Sequence, residues 1–412
     1  MSGVTMWWNR KRSEPKAGAH EAEDAAAKLE APGGEHRNAF ILMGLGGAAL
    51  AAFGIAGIAG IVAPVFFALV LTICAHPLRM WLEERGVPRG IATGSVITAV
   101  VLLLITFGYA VMVAFGQFAT LLTEYADEIK AWGAGVAQWL VSIGIGADEV
   151  SSLFADFDPG TLIGFVGGVV GGLAGWTTTL VVLFTMLLLM AMDAGYLPTL
   201  LRQLKPHRPL VVVSLVNYAH NVRRYMIVTT VLGLAQGLVN WVALTIIGVP
   251  GAFIWGLLAF LCSFIPNIGY FIAIIPPIVF AALVGGWPMV IAVIVVYGVV
   301  NAVIQSVIQP RVVGNAVALS QTITFFSVLF WAVVIGPIGA ILAIPLTLLV
   351  RMLLVDSNPN SFWMRPMLGE LDETKSIMAE SDAAAKAARK ARHAGDAGGP
   401  NDTSAESPAA TG

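Results

Sequence analysis

The sequence predicts an all-α, polytopic integral membrane protein, and three observations carry that prediction. Hydrophobic residues make up 57% of the 412 positions and charged residues only 12%, whereas soluble domains carry roughly 25% charged residues. Mean hydropathy is +0.82. Between Arg224 and Arg351 the only charged residue is Arg311, and no Asp, Glu or His occurs over 226–350. A water-soluble globule must cover its surface with polar side chains, so a chain this poor in them has the lipid bilayer as its solvent and partner. A net charge of −2 with no basic stripe points to no nucleic-acid partner.

The elements follow in order. Residues 1–37 and 366–412 are rich in Ala, Gly, Glu, Lys and Pro and lack a sustained apolar face, so both are expected to be disordered tails. The membrane domain is expected over 38–365. About 20 apolar residues cross a hydrocarbon core of ~30 Å. The stretch 39–75 contains Gly57, Gly60 and Pro64 and predicts two short helices joined by a tight turn. A third helix is expected over 90–116, a fourth over 162–192 and a fifth over 226–248.

Two later segments are not ordinary spans. Residues 252–283 are broken at Pro266-Asn267-Ile268-Gly269 and again at Pro276-Pro277. Residues 322–349 are broken at Gly336-Pro337-Ile338-Gly339 and again at Pro345. Ile268-Gly269 and Ala273-Ile274 reappear as Ile338-Gly339 and Ala343-Ile344, 70 residues later, which suggests an internal repeat. Each broken segment reads either as a re-entrant hairpin or as a kinked span, and the residues leave both open.

Charge sets the orientation. The segment 117–161 carries seven acids and a single base, Lys130. Its Leu121, Tyr125, Ile129, Trp132, Val136 and Leu140 recur at helical spacing, as in a helix lying on the membrane surface. The segment 193–225 is the reverse, with Arg202, Lys205, Arg208, Arg223 and Arg224 against Asp193. The positive-inside rule places the basic segment in the cytoplasm, the acidic one outside, and both termini in the cytoplasm. If Arg311 also lies inside, the two broken segments form a pair of hairpins of opposite orientation, a construction found in secondary transporters.

Irregular backbone at membrane depth survives only where protein or a wet cavity surrounds it. The candidate solute path therefore runs through Pro266, Asn267, Gly269, Pro337, Gly339 and Pro345, with Asn301, Gln305 and Gln309 at intervals of four on the helix between the breaks. Gln236 is a further uncharged candidate, and Arg311 is a candidate gate. The amides serve equally well as packing contacts between helices. His76 and Asp193, at helix ends, are the titratable groups nearest the core, and His76 before Pro77 reads first as an interfacial cap. Cys74 and Cys262 read as small hydrophobes. The chain lacks HExxH, GxSxG and GxxxxGK[ST], so no enzyme, metal, cofactor or nucleotide-driven pump is expected.

These segments together resemble the bacterial autoinducer-2 exporter superfamily over about 62–355. The likeness is carried by AHPLRMWLEERGVPRG at 75–90, LLLMAMDAGYLPTLL at 187–201, the long run from RRYMIVTT to FIAIIPP at 223–277, and IQPRVVGNAVALS with VIGPIGAILAIPL at 308–320 and 334–346. The resemblance implies about eight membrane segments, a peripheral region after the third helix and a homo-oligomer in the bacterial cytoplasmic membrane. It implies a transporter exporting or facilitating a small, largely uncharged signalling solute. Some relatives look like sodium or lithium/proton antiporters, which would assign coupling to Asp193 or His76, but the core here lacks a carboxylate. The family commonly has an aromatic within the first Pro-x-x-Gly, where this chain has Asn267. A membrane scaffold that transports nothing is the third class left open.

Overall fold

A computed structural model of the chain describes residues 34–144, 179–308, 319–369 and 378–383, with single positions at 146, 148, 164, 168, 376 and 386. Most of both tails, the acidic stretch beyond 144, the start of the expected fourth helix, and the stretch carrying Gln309 and Arg311 lie outside these residues. Among the described residues the chain is helical throughout, with no strand.

The chain divides into two compact units, Met1–Ile58 and Ala59–Gly412. The described part of the first is one apolar helix, α1 (Gly34–Gly57). In the second, α2 (Ala59–Glu84), α3 (Arg89–Glu124) and α4 (Ala126–Ser142) come first. They are followed by α5 (Thr179–Asp193), which bends 58° into α6 (Leu197–Leu204). Then come α7 (Pro209–Ile247), α8 (Ala252–Cys262) and α9 (Gly269–Asn301), the last continuing as a π-helix over Ala302–Ile308. The series ends with α10 (Gln321–Ile335), α11 (Pro337–Ile341) and α12 (Ala343–Arg351). Four of the described helices are long and apolar enough to cross a membrane, or five if α5 and α6 form one bent span.

Two helices run further than their apolar stretches suggest. The third extends to Glu124, and the fifth begins at Pro209 rather than near 226. Proline at the first helical turn costs no hydrogen bond and presets φ, and no breaker follows until Gly248 ends α7 at φ 88°. At 1.5 Å per residue the 39 residues of α7 cover about 58 Å. Arg223 and Arg224 of the basic stretch thus lie on the spanning helix itself, while Arg202, Lys205 and Arg208 precede it. Its charges marked the interface and not the helix start.

Proline inside α2 has a visible consequence. Pro77 has no N–H to offer the carbonyl of Ile73. Arg223 of α7 donates to that carbonyl from Nε at 3.2 Å, so a basic residue ties two spanning helices together. The main core lies where α3, α7, α8 and α9 meet, around a fully buried Trp255. Its ring lies 5.4 Å from the rings of both Phe118 and Phe280, and its Nε1 donates to the Pro250 carbonyl at 2.8 Å. The outward faces carry large apolar side chains such as Ile246, Trp287 and Val333, as a lipid-facing surface requires.

Candidate functional site

Both broken segments double back. Trp255 and Phe280 are 25 residues apart with the first break between them, and their ring centroids are 5.4 Å apart. An unbroken helix would separate them by about 37 Å. Trp331 and Thr347 stand eight residues to either side of Gly339, and the Trp331 Nε1 donates to the Thr347 hydroxyl at 3.0 Å, where a straight helix would put them about 24 Å apart. Each segment is therefore a helical hairpin. With 11 residues in α8 and 15 in α10, the first arm of each is shorter than a crossing needs.

The two tips are built alike. Gly269 is buried so close to the first arm that a Cβ would collide with the Cys262 carbonyl oxygen, and a Cβ on Gly339 would collide with that of Trp331. Ala273, Ile274, Ala343 and Ile344, the repeated pairs, are all buried. Asn267 is the only non-glycine residue with positive φ (65°) among the described residues. Asparagine tolerates that conformation where an aromatic or β-branched side chain would not. In the second tip the positive φ falls one position earlier in the repeat, at Gly336 (84°). Pro266 is half-buried, Asn267 and Pro337 are exposed, and Pro345 is buried.

The hairpins hang on opposite halves of α7. The first break faces Gly233, where a Cβ would collide with the Ser263 hydroxyl. At the other end, the Ser214 hydroxyl donates 2.7 Å to the carbonyl of Asp356, just beyond α12. Ser214 lies 19 residues from Gly233, or about 28 Å along α7. One helix thus carries both hairpins, one near each of its ends.

Nine of the twelve buried positions of α7 form a continuous line: 214, 218, 222, 225, 229, 233, 236, 240 and 244, in steps of three and four. Six of them are polar, namely Ser214, Tyr218, Tyr225, Thr229, Gln236 and Asn240. Of these, sequence inspection singles out only Gln236. The line is legible as a polar recurrence every three or four residues, but equally polar Asn217 and Asn221 flank it, and only packing shows which face is covered.

The amides between the hairpins are partly as expected. Asn301 ends α9 with its Oδ1 buried and without a hydrogen-bond partner, and Gln305 sits half-buried in the π-helix. π-Helical turns are uncommon and concentrate at functional sites. Gln309 and Arg311 lie outside the described residues. His76 is half-buried in a small cavity between α2, α3 and α5 with Thr72, Arg79 and Thr93, while Asp193 is exposed at the end of α5. Arg79 is engaged already, 2.8 Å from Glu83 and 3.2 Å from the Ala191 carbonyl. No group of three metal-ligating side chains occurs among the described residues.

Comparison with known proteins places this architecture. Residues 39–356 match the family model described as AI-2E family transporter. The AI-2 transport protein TqsA of Escherichia coli is 28% identical over 302 residues, covering 73% of this chain and 87% of its own. The putative transport protein YhhT of Escherichia coli is 26% identical over 319 residues, 77% and 91% of the two chains. A putative transport protein of Haemophilus influenzae is 25% identical over 356 residues, covering 81% of this chain and 97% of its own.

Proposed function

We propose that this chain, which belongs to the AI-2E transporter family, moves a small, largely uncharged, hydrogen-bonding solute across the membrane, of the autoinducer-2 type. Membrane transport itself is the family's activity. The solute class is our inference, and one observation carries it: two hairpins with matching tips stand on opposite halves of a helix whose buried face is polar but uncharged. Breaks of this kind leave carbonyl and amide groups free for a solute. The lack of any Asp, Glu or His over 226–350 leaves a cation no carboxylate or imidazole partner there.

In this scheme Pro266, Asn267 and Gly269 form one tip of the path, and Pro337, Gly339 and Pro345 the other. Asn301, Gln305 and Gln309 line the way between them, and Arg311 gates the cytoplasmic end. Residence in a bacterial cytoplasmic membrane with both termini inside is supported by Arg202, Lys205, Arg208, Arg223 and Arg224 against the acids of 117–161. Homo-oligomeric assembly belongs to the same proposal.

The test is flux through the purified protein in proteoliposomes. Labelled autoinducer-2 should equilibrate faster than in protein-free vesicles, and replacing Gly269 or Gly339 by leucine should abolish the difference. Electroneutral sodium/proton exchange lost on Asp193→Asn or His76→Gln would replace this proposal with an antiporter. A protein that moves neither solute nor cation, and whose leucine variants change only assembly, would be a scaffold.

A further inference from the structure

Three polar side chains on α7 are buried and evenly spaced, and two of them lack any hydrogen-bond partner among the described residues. The unpartnered ones are the Tyr218 hydroxyl and both the Oδ1 and Nδ2 of Asn240, and midway between them the Thr229 hydroxyl faces the phenol of Tyr225 one turn earlier. Asn240 is fully buried at 0% exposure, Tyr218 is 5% exposed and Thr229 7%. Each is eleven residues from the next. Eleven residues are close to three full turns, so all three project from one side of α7, about 16 Å apart. They cover about 33 Å along α7, with Tyr218 in the basic stretch before Arg223 and Arg224 and with Thr229 and Asn240 in the apolar stretch beyond them.

Groups of this kind are costly. An amide or hydroxyl buried without a partner loses its hydration and receives nothing in return. Most buried polar atoms in proteins are satisfied, and the exceptions call for a cause. Hydroxyls at helix positions readily turn back to the carbonyl four residues earlier, as Thr230 does to Met226 at 2.7 Å and Thr245 to Trp241 at 2.8 Å. Thr229, next to Thr230 on the same helix, does not, and faces the Tyr225 phenol instead. Leucine or valine at 218, 229 or 240 would pack against the neighbours without this penalty.

We infer that Tyr218, Thr229 and Asn240 are solute-binding positions, a ladder of uncharged hydrogen-bonding groups along which a neutral solute bearing hydroxyl and carbonyl groups passes between the two hairpins. The assignment rests on the transport function proposed above and names residues that proposal does not contain. The asparagine presents one acceptor and two donors, and each hydroxyl presents one donor and accepts as well. A molecule with adjacent donors and acceptors satisfies all of them. An ion gains no countercharge there and loses its hydration. Steps of about 16 Å exceed the length of a small solute, so it occupies one rung at a time. Asn240 stands nearest the Gly248 end of α7 and Tyr218 nearest the Pro209 end, so the ladder leads from the basic stretch into the apolar stretch of the helix.

The decisive experiment is accessibility in the membrane. In the full chain with Cys74→Ala and Cys262→Ala, single Tyr218→Cys, Thr229→Cys and Asn240→Cys variants are treated with a small, hydrophilic methanethiosulfonate reagent in sealed vesicles. Leu234→Cys and Leu238→Cys, exposed on the outer face of the same helix, serve as lipid-facing controls. The ladder predicts modification at 218, 229 and 240 but not at 234 or 238. Inert thiols at 229 and 240 would overturn it. A second measurement separates binding from packing. Asn240→Leu should melt in detergent at or above the wild-type temperature while uptake of labelled autoinducer-2 falls at least tenfold, whereas a packing role predicts a lower melting temperature. If the wild type moves no autoinducer-2 but positions 229 and 240 react, the solute class is wrong and the ladder stands. If autoinducer-2 moves and they are inert, the ladder is wrong and the transport proposal stands.

Discussion

Gly237 of α7 and Gly256 of α8 meet in reciprocal contact: a Cβ built on either would lie 2.7 Å from the other's carbonyl oxygen. With Gly233 four residues earlier, they let the first hairpin lie directly on the α7 backbone. Between apolar helices in lipid there is no hydrophobic gain on contact, so close backbone approach through small residues supplies the association. That contact sets the distance at which the hairpin tip meets the buried face of α7.

Gly237→Leu and Gly256→Leu are therefore expected to destabilise the protein by about 1–3 kcal/mol each, the usual cost of overpacking. The double variant should lose less than the sum, because one separation of the helices relieves both clashes. Thermal unfolding of purified protein in detergent measures this. Gly108→Ala on α3, where a Cβ meets nothing within 4 Å, should be neutral or stabilising by up to about 1 kcal/mol.

At the first tip, Asn267→Gly should retain or raise stability, and Asn267→Val should lower it by about 1–2 kcal/mol, because φ of 65° is open to glycine and strained for a β-branched residue. Circular dichroism melts would show the order Gly ≥ Asn > Val. The reverse order would mean that the Asn267 side chain, not its backbone, matters most.

The second hairpin is closed by the bond between Trp331 and Thr347. Trp331→Phe and Thr347→Val should each lower the stability by about 1 kcal/mol beyond any change in packing. A double-mutant cycle should find the pair coupled by 0.5 kcal/mol or more. Zero coupling would refute the fold-back geometry of this segment.

Beyond α12, Asp356 stands 3.3 Å from Arg351 and 3.1 Å from Arg365, and its backbone carbonyl accepts from Ser214. Asp356→Asn keeps the carbonyl to which Ser214 donates but weakens the two arginine contacts that hold this turn, at a cost of about 1–3 kcal/mol. Arg365→Gln should cost less, since Arg365 is more exposed than Arg351. Protease sensitivity after residue 356 should rise in parallel in both variants.

The same cysteine-free chain carrying Arg311→Cys should react with an impermeant maleimide only from the cytoplasmic side. Reaction only from the outer side would invert the assigned hairpin orientations, although both segments would still fold back.

Charge scarcity and long apolar runs were enough to establish a helical membrane protein, because lipid offers the backbone no partner outside a helix. The proline–glycine clusters marked both breaks, since those residues remove a donor or open positive φ wherever they occur. Helix ends were less legible. Pro209 starts α7 inside a basic stretch, and Glu124 ends α3 inside an acidic one, because a helix can outrun the bilayer while charge reports only where the bilayer stops. Only tertiary structure decided that the broken segments are hairpins, because Trp331–Thr347 and Trp255–Phe280 are contacts across the breaks that no local pattern encodes. It also decided which polar face of α7 is buried. Asn217 and Asn240 are chemically identical in sequence, and only the neighbours packed around the helix leave the first exposed and the second buried without a partner among the described residues.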